Sequence, residues 1–229
     1  MNIIFLGSSK FAVPALSCII SSSHNVLCVV TQPDRLSGRG LILSSTEVKK
    51  TARANRLRIY QQEDINSNES VEFLSSLGAD VFVVVAFGQI LSKPVLEIPR
   101  IMPINLHASL LPKYRGAAPV RWAIINGESQ SGLTIIKMVS KLDAGPIILQ
   151  EKVYIEGSDD AIMLEEKLSR LGGDLTSRAL DVIQEGKCNL IAQNDKDATL
   201  AKKLKKDDGL ICWDKPSRDI CNLIRGCAG

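Results

Sequence analysis

Apolar residues along the chain fall into short runs separated by polar stretches that carry glycine or proline. Asn2 to Leu6 is a compact apolar strand ending at Gly7, and Phe11 to Ile20 then takes the spacing of a helix. Val26 to Val30 reads as a second strand. Pro33, Gly38 and Gly40 make Thr31 to Ser45 a long mobile loop with basic tips. A helix over Thr46 to Asn55, a short strand near Arg58 to Tyr60 and a helix over Asn68 to Leu77 follow. Val81 to Ala86 is apolar without alternation, as expected of a strand buried on both faces of a parallel sheet. Next come a strand from Ile101 to Leu106 and a helix from Pro119 to Ile125, closed by Gly127. Strands over Leu133 to Met138 and Ile147 to Ile155 precede a helix from Ala161 to Gln184, which Gly172-Gly173 is placed to break or cap. This alternation predicts an α/β fold, a mostly parallel sheet with helices on both faces.

From Cys188 the composition turns polar and charged, which predicts one domain over residues 1–187 and a linker over 188–209. Residues 210–229 begin a new amphipathic pattern too short to form its own core. With 45% hydrophobic residues in 229, the chain buries a substantial core and is not a disordered adaptor. Its longest apolar run, Val81 to Phe87, falls far short of the roughly 20 residues that span a bilayer. The first twenty residues lack the basic start of a signal peptide and carry Lys10 and Pro14. Six cysteines without C-x-x-C spacing predict a reduced, cytoplasmic protein without structural zinc. No evident exposed apolar stripe is present, so a monomer is expected.

Net charge is only +3, but its distribution is uneven. Arg35, Arg39, Lys49, Lys50, Arg53, Arg56 and Arg58 face a single acidic residue, Glu47, within Arg35 to Arg58. Such a local excess attracts phosphates. Lys49, Arg53 and Arg56 have helical spacing and predict one exposed stripe, either a phosphate-binding face or simply a solvated one.

The chemistry concentrates in Asn105-Leu-His107-Ala-Ser109-Leu110-Leu111-Pro112-Lys-Tyr-Arg-Gly116-Ala-Ala-Pro119, followed by Asp143-Ala-Gly145. Alternation along a strand puts Asn105 and His107 on one face, where an amide and an imidazole can both address one developing oxyanion. The strand then runs into a shaped loop, where α/β enzymes commonly place their chemistry. Taken singly, His107 also reads as a core histidine, Asn105 as a loop cap and Asp143 as a turn former. Phe87-Gly88-Gln89-Ile90-Leu91 follows the buried strand at the carboxyl edge, where such sheets bind ligands, or else merely begins the next loop.

These motifs resemble the folate-dependent formyltransferases, and among them the enzymes that act on charged initiator tRNA. The resemblance rests on Asn105-x-His107 with Ser109-Leu-Leu-Pro112-Lys-Tyr-Arg-Gly116, on Asp143, and on Thr31-Gln-Pro33-Asp34-Arg35 with Gly38-Arg39-Gly40. It covers nearly the whole chain, and Ala201 to Trp213 resembles the family's entry into a second, β-barrel domain that is largely absent here. The first loop, Gly7-Ser8-Ser9-Lys10-Phe11-Ala12, departs from the family's Gly-Thr-Pro-x-Phe-Ala, and Lys141 stands where glycine is frequent.

The resemblance implies a Rossmann-like formyltransferase fold and transfer of a formyl group from 10-formyltetrahydrofolate to the α-amine of methionyl initiator tRNA. It implies Asn105, His107 and Asp143 as catalytic residues, with no metal. For the folate it implies Phe87, Gly88, Gln89, Ile90, Leu91, Ser109, Leu110, Leu111, Pro112, Val139 and Leu142. Arg35, Arg39 and Lys49 are the expected tRNA contacts. Formyl transfer to an amino sugar nucleotide or a glycinamide nucleotide is an alternative, as is a non-catalytic folate- or RNA-binding module.

Overall fold

The computed structural model describes residues 1–37 and 42–229. In chain order the elements are β1 (Asn2–Gly7), α1 (Val13–Ile20), β2 (Asn25–Thr31), β3 (Arg35–Ser37), β4 (Ile42–Ser44), α2 (Glu47–Ala54), β5 (Ile59–Gln61), α3 (Asn68–Ser76) and β6 (Val81–Val85). They continue with α4 (Lys93–Leu96), β7 (Met102–His107), β8 (Arg115–Gly116), α5 (Pro119–Ile125), β9 (Gln130–Lys137), β10 (Ile147–Tyr154), α6 (Ala161–Gln184), β11 (Leu200–Ala201) and α7 (Ser217–Gly226). Seven strands form the main sheet in the order β10-β9-β7-β6-β1-β2-β5. The five from β7 to β5 run parallel, while β9 and β10 are antiparallel additions.

The unalternating strands are apolar because helices cover both sheet faces. In β1, Ile3 and Phe5 join one core cluster with Leu16 of α1, Val48 of α2 and Leu168 of α6. Ile4 and Leu6 point the other way, into a cluster with Leu74 of α3 and Val95 of α4. Chain order reverses between β1 and β6, which opens a crevice at their carboxyl ends.

Two expectations about local structure change. Gly172-Gly173 neither breaks nor caps α6, which runs continuously for 24 residues. A Cβ on Gly173 would lie 2.7 Å from Cys18 Sγ, and one on Gly172 the same distance from Leu106 Cδ2, so the glycines let α6 approach α1 and β7. The described part of Thr31 to Ser45 is not simply a loop: β3 and β4 form an antiparallel hairpin that pairs Leu36 with Leu43. Its base is pinned by Asp34, which accepts from Lys49 Nζ at 2.6 Å, Gln61 Nε2 at 3.1 Å and Ser45 Oγ at 3.2 Å. The hydrogen bond from Lys49, then that from Gln61, holds the Asp34 carboxyl below its usual range.

Residues after α6 lie against the domain. Ile191 exchanges backbone hydrogen bonds with Ile147, β11 pairs with β8, and α7 packs on α5 with Gly226 facing Ile125. Among the described residues no helix is long and apolar enough to cross a membrane.

Candidate active site

A cavity of about 840 Å³ opens at the reversal point and is lined by Asn105, His107 and Asp143 together with Phe87, Gly88, Gln89, Ile90, Leu91, Val139 and Leu142. Asn105 and His107 alternate with Leu106 at the end of β7, which is clamped between β6 and β9. The expected shared face therefore holds. Both residues line one cavity at the carboxyl end of β7, next to β6 at the edge of the crevice.

His107 is 6% exposed and its ring is fixed. Nε2 lies 2.9 Å from the carbonyl of Tyr114. A carbonyl only accepts, so this nitrogen carries the proton, and Nδ1 is left toward Asp143 Oδ2 at 3.6 Å. That gap is too long for a hydrogen bond but within reach of an ion pair. Only the imidazolium can donate from both nitrogens.

Tyr114 presents its carbonyl from a left-handed backbone conformation, φ 62°, which costs a non-glycine residue about 1–2 kcal/mol. Three contacts hold it there: its N–H donates to Thr199 Oγ1 at 2.8 Å, its hydroxyl donates to Glu128 at 2.8 Å and accepts from Asn126 Nδ2 at 3.1 Å. Burial pushes the phenol up to about 12.

Asp143 is also left-handed, φ 48°, in the turn between β9 and β10. Its Oδ2 accepts from Gly116 N at 2.9 Å. Gly116 itself tolerates no side chain, since a Cβ would lie 2.6 Å from the Ala201 carbonyl oxygen of β11.

The Phe87 to Leu91 loop is built as a wall. Ser8 Oγ donates to the Phe87 carbonyl at 2.9 Å, and Asn66 Nδ2 donates to the Ile90 carbonyl at 3.0 Å. Gln89 Oε1 accepts from Ile65 N at 2.8 Å and its Nε2 donates to the Gln62 carbonyl at 3.1 Å. Apolar side chains over turned backbone suit a flat heterocycle, and the volume lies within the range of small-molecule sites.

The structure does not bring every expected residue to the cavity. Ser109, Leu110, Leu111 and Pro112 do not line it. Ser109 Oγ donates to the Lys113 carbonyl at 2.6 Å, and Leu110 packs over Gly132. Leu111 lies against Ile136 and Ile147, and its carbonyl accepts from Gln150 Nε2 at 2.7 Å. The Pro112 carbonyl accepts from Thr199 N at 3.4 Å. These residues build the loop that sets the Tyr114 carbonyl against His107.

The exposed basic stripe is likewise corrected. Lys49 is buried against Asp34, and Arg56 lies beyond the end of α2. Arg35 is exposed and paired with Glu63 at 2.8 Å, while Arg39 lies outside the described residues.

Sequence reasoning missed the opposite wall, Ser9, Phe11, Ala117, Ala118, Pro119, Arg121 and Glu165, and the polar partners of the Asp143 turn. Ala117 to Pro119 directly follow Gly116 in the Asn105 to Pro119 stretch, so proximity to Gly116 was an available signal.

Residues 1–180 match the family described as formyl transferase, and the chain belongs to that family. Its relatives include the methionyl-tRNA formyltransferase of Pelobacter propionicus, 42% identical over 99% of this chain and 71% of the relative. Those of Staphylococcus aureus and Thermodesulfovibrio yellowstonii are 45% and 46% identical over 98% of this chain and 72% and 73% of theirs. Among solved structures, an N-formyltransferase from Helicobacter canadensis in complex with folinic acid and dTDP-3-aminofucose superimposes with a TM-score of 0.77 at 21% identity, covering 98% of this chain and 79% of that one. Glycinamide ribonucleotide transformylase 1 from Symbiobacterium toebii gives 0.70 at 19%, covering 85% and 94%. At these identities the two structures share the fold.

Proposed function

We propose that the chain transfers a formyl group from 10-formyltetrahydrofolate to the α-amine of methionyl initiator tRNA, with Asn105, His107 and Asp143 as its catalytic residues. The observation that carries this reading is the convergence of those three side chains in one cavity that Phe87, Ile90, Leu91, Val139 and Leu142 also line. The 42–46% identity to methionyl-tRNA formyltransferases supports the choice of acceptor over an amino sugar or glycinamide nucleotide.

When bound, the folate supplies a formyl carbon open to attack by a neutral amine. The Asn105 amide and the protonated His107 Nδ1 donate to the formyl oxygen as it becomes negative, a task in which one lost donor typically costs about 100- to 1,000-fold. Asp143 balances the imidazolium, and its carboxylate takes the proton that the amine sheds on bond formation, directly or through water. N10 leaves with a proton in return. Transfers of this kind typically contribute about 100- to 10,000-fold. Phe87, Ile90, Leu91, Val139 and Leu142 hold the pterin. Arg35 of β3 and Arg39, which lies outside the described residues, meet phosphates of the acceptor end.

The test is formyl transfer to methionyl initiator tRNA by the wild-type chain, His107→Ala and Asp143→Asn. Folded variants that lose about 100-fold or more of kcat are expected, and full turnover by both would sink the assignment. Arg39→Ala should weaken tRNA binding and flatten its salt dependence, leaving folate binding unchanged.

A further inference from the structure

Asp143 is held in place from a part of the chain that lies beyond the matched family residues. Gln193 Nε2 donates to the backbone carbonyls of Asp143 at 2.8 Å and Gly145 at 2.7 Å. Its Oε1 accepts from Arg115 Nε at 3.1 Å and Nη2 at 2.7 Å. Arg115 is buried and directly precedes Gly116, whose N–H holds the Asp143 carboxylate. The bonds therefore close a ring, from the Arg115 side chain through Gln193 to the Asp143 backbone, then through the carboxylate to Gly116 and back to Arg115. Asp195 ties the outside of the ring, pairing with Arg115 at 2.8 Å and Lys141 at 2.6 Å.

We propose that Gln193 is a positioning residue that sets the Asp143 carboxylate against His107 by fixing the backbone on both sides of Ala144. This rests on the catalytic role of Asp143 proposed above. Gln193 does not carry the fold of its own segment, because Ile191 is already paired with Ile147, and β11 with β8. Its four hydrogen bonds all serve the Asp143 turn and Arg115. A glutamate at this position still accepts from Arg115 but donates to neither carbonyl, so Gln193→Glu isolates the positioning contact.

The experiment measures kcat, the KM for 10-formyltetrahydrofolate and the melting temperature for wild type, Gln193→Glu, Asp143→Asn and the double variant. A displaced reacting group loses on the order of tenfold to a hundredfold in rate. The expected result is a tenfold or greater fall in kcat for Gln193→Glu, with KM within about twofold. In the Asp143→Asn background the same substitution should add almost nothing, because residues acting as one unit are not additive. Wild-type kcat in Gln193→Glu, or the same fold loss in both backgrounds, overturns the proposal while leaving Asp143 in its role. Wild-type kcat in Asp143→Asn overturns the underlying reading instead. Gln193→Ala, which adds no charge, must show the same pattern, and it substitutes for the glutamate variant if that one melts early.

Discussion

Gly145→Ala makes the sharpest demand on the geometry of the Asp143 turn. A Cβ there would lie 1.7 Å from the Lys137 carbonyl oxygen and 2.9 Å from its carbon. Carbon and oxygen settle at about 3.3 Å or more, so the two backbones must separate by about 1.6 Å. Lys137 ends β9, a strand bonded to β7 on one side and β10 on the other, so the turn is the part that yields. Two residues upstream sits Asp143, 3.6 Å from His107 Nδ1, and Gly145 itself gives its carbonyl to Gln193. A shift of about 1 Å at a reacting group can cost about 100-fold, and overpacking costs about 1–3 kcal/mol. Gly145→Ala should therefore fold with a melting temperature lowered by several degrees and lose about 100-fold in kcat. Stopped formylation assays at saturating methionyl-tRNA, with thermal melts alongside, read both quantities. A folded variant within threefold of wild-type kcat would show that the turn absorbs the clash without moving the carboxylate, and the reasoning would fail.

Three further outcomes follow from other parts of the molecule. His24 is buried, with Nδ1 3.4 Å from the Met1 amine and Nε2 3.5 Å from Asp181; burial first, and the ammonium second, lower its pKa below 6.5. A depressed folded value means that its stabilising contribution is complete above pH 6.5 and is lost as pH falls through the folded value, so melting curves of wild type should drop more steeply below pH 6.5 than those of His24→Asn; equal slopes contradict this. Burial pushes the Cys28 thiol up to about 11, whereas Cys212 and Cys221 are exposed, so mass spectrometry of maleimide-treated native protein should find the latter two labelled and Cys28 unmodified. Phe82 is fully buried at the centre of the sheet, and Phe82→Ala should lower unfolding free energy in urea by about 3–5 kcal/mol.

The long periodic elements were legible because their burial is written in their sequence. β1 and β6 read as uninterrupted apolar runs since helices cover both faces, and the α6 pattern survives its glycine pair because the other positions keep the 3.6-residue period. The hairpin at β3 and β4 was not legible: each strand has three residues, too short for alternation to register. Periodicity also shows that Lys49 and Arg53 share a helix but not which way that helix turns, and Asp34, fifteen residues earlier, draws Lys49 inward. In the site, Asn105 and His107 stood out because alternation along β7 puts two polar side chains on one face, whereas Asp143 alone read as a turn former and only the family resemblance marked it as catalytic. Ser109 to Pro112 belong to the same motif yet serve the loop, a distinction that depends on Thr134 and Gln150 of neighbouring strands. Gln193 sits in a polar stretch where nothing in composition sets one amide apart from another.

The way the chain returns to its own site gives the molecule a natural seam. Glu185, Gly186 and Lys187 are exposed just after α6, while downstream the chain regains its hold through Ile191, β11 and α7. A protease that nicked this bridge would leave two pieces still joined by strand pairing and helix packing, with the ring around Asp143 intact. Turnover would then report whether the pieces are together, because Gln193, which holds the Asp143 turn, travels with the smaller piece, so the enzyme would act as a split sensor that slows when that piece is washed away.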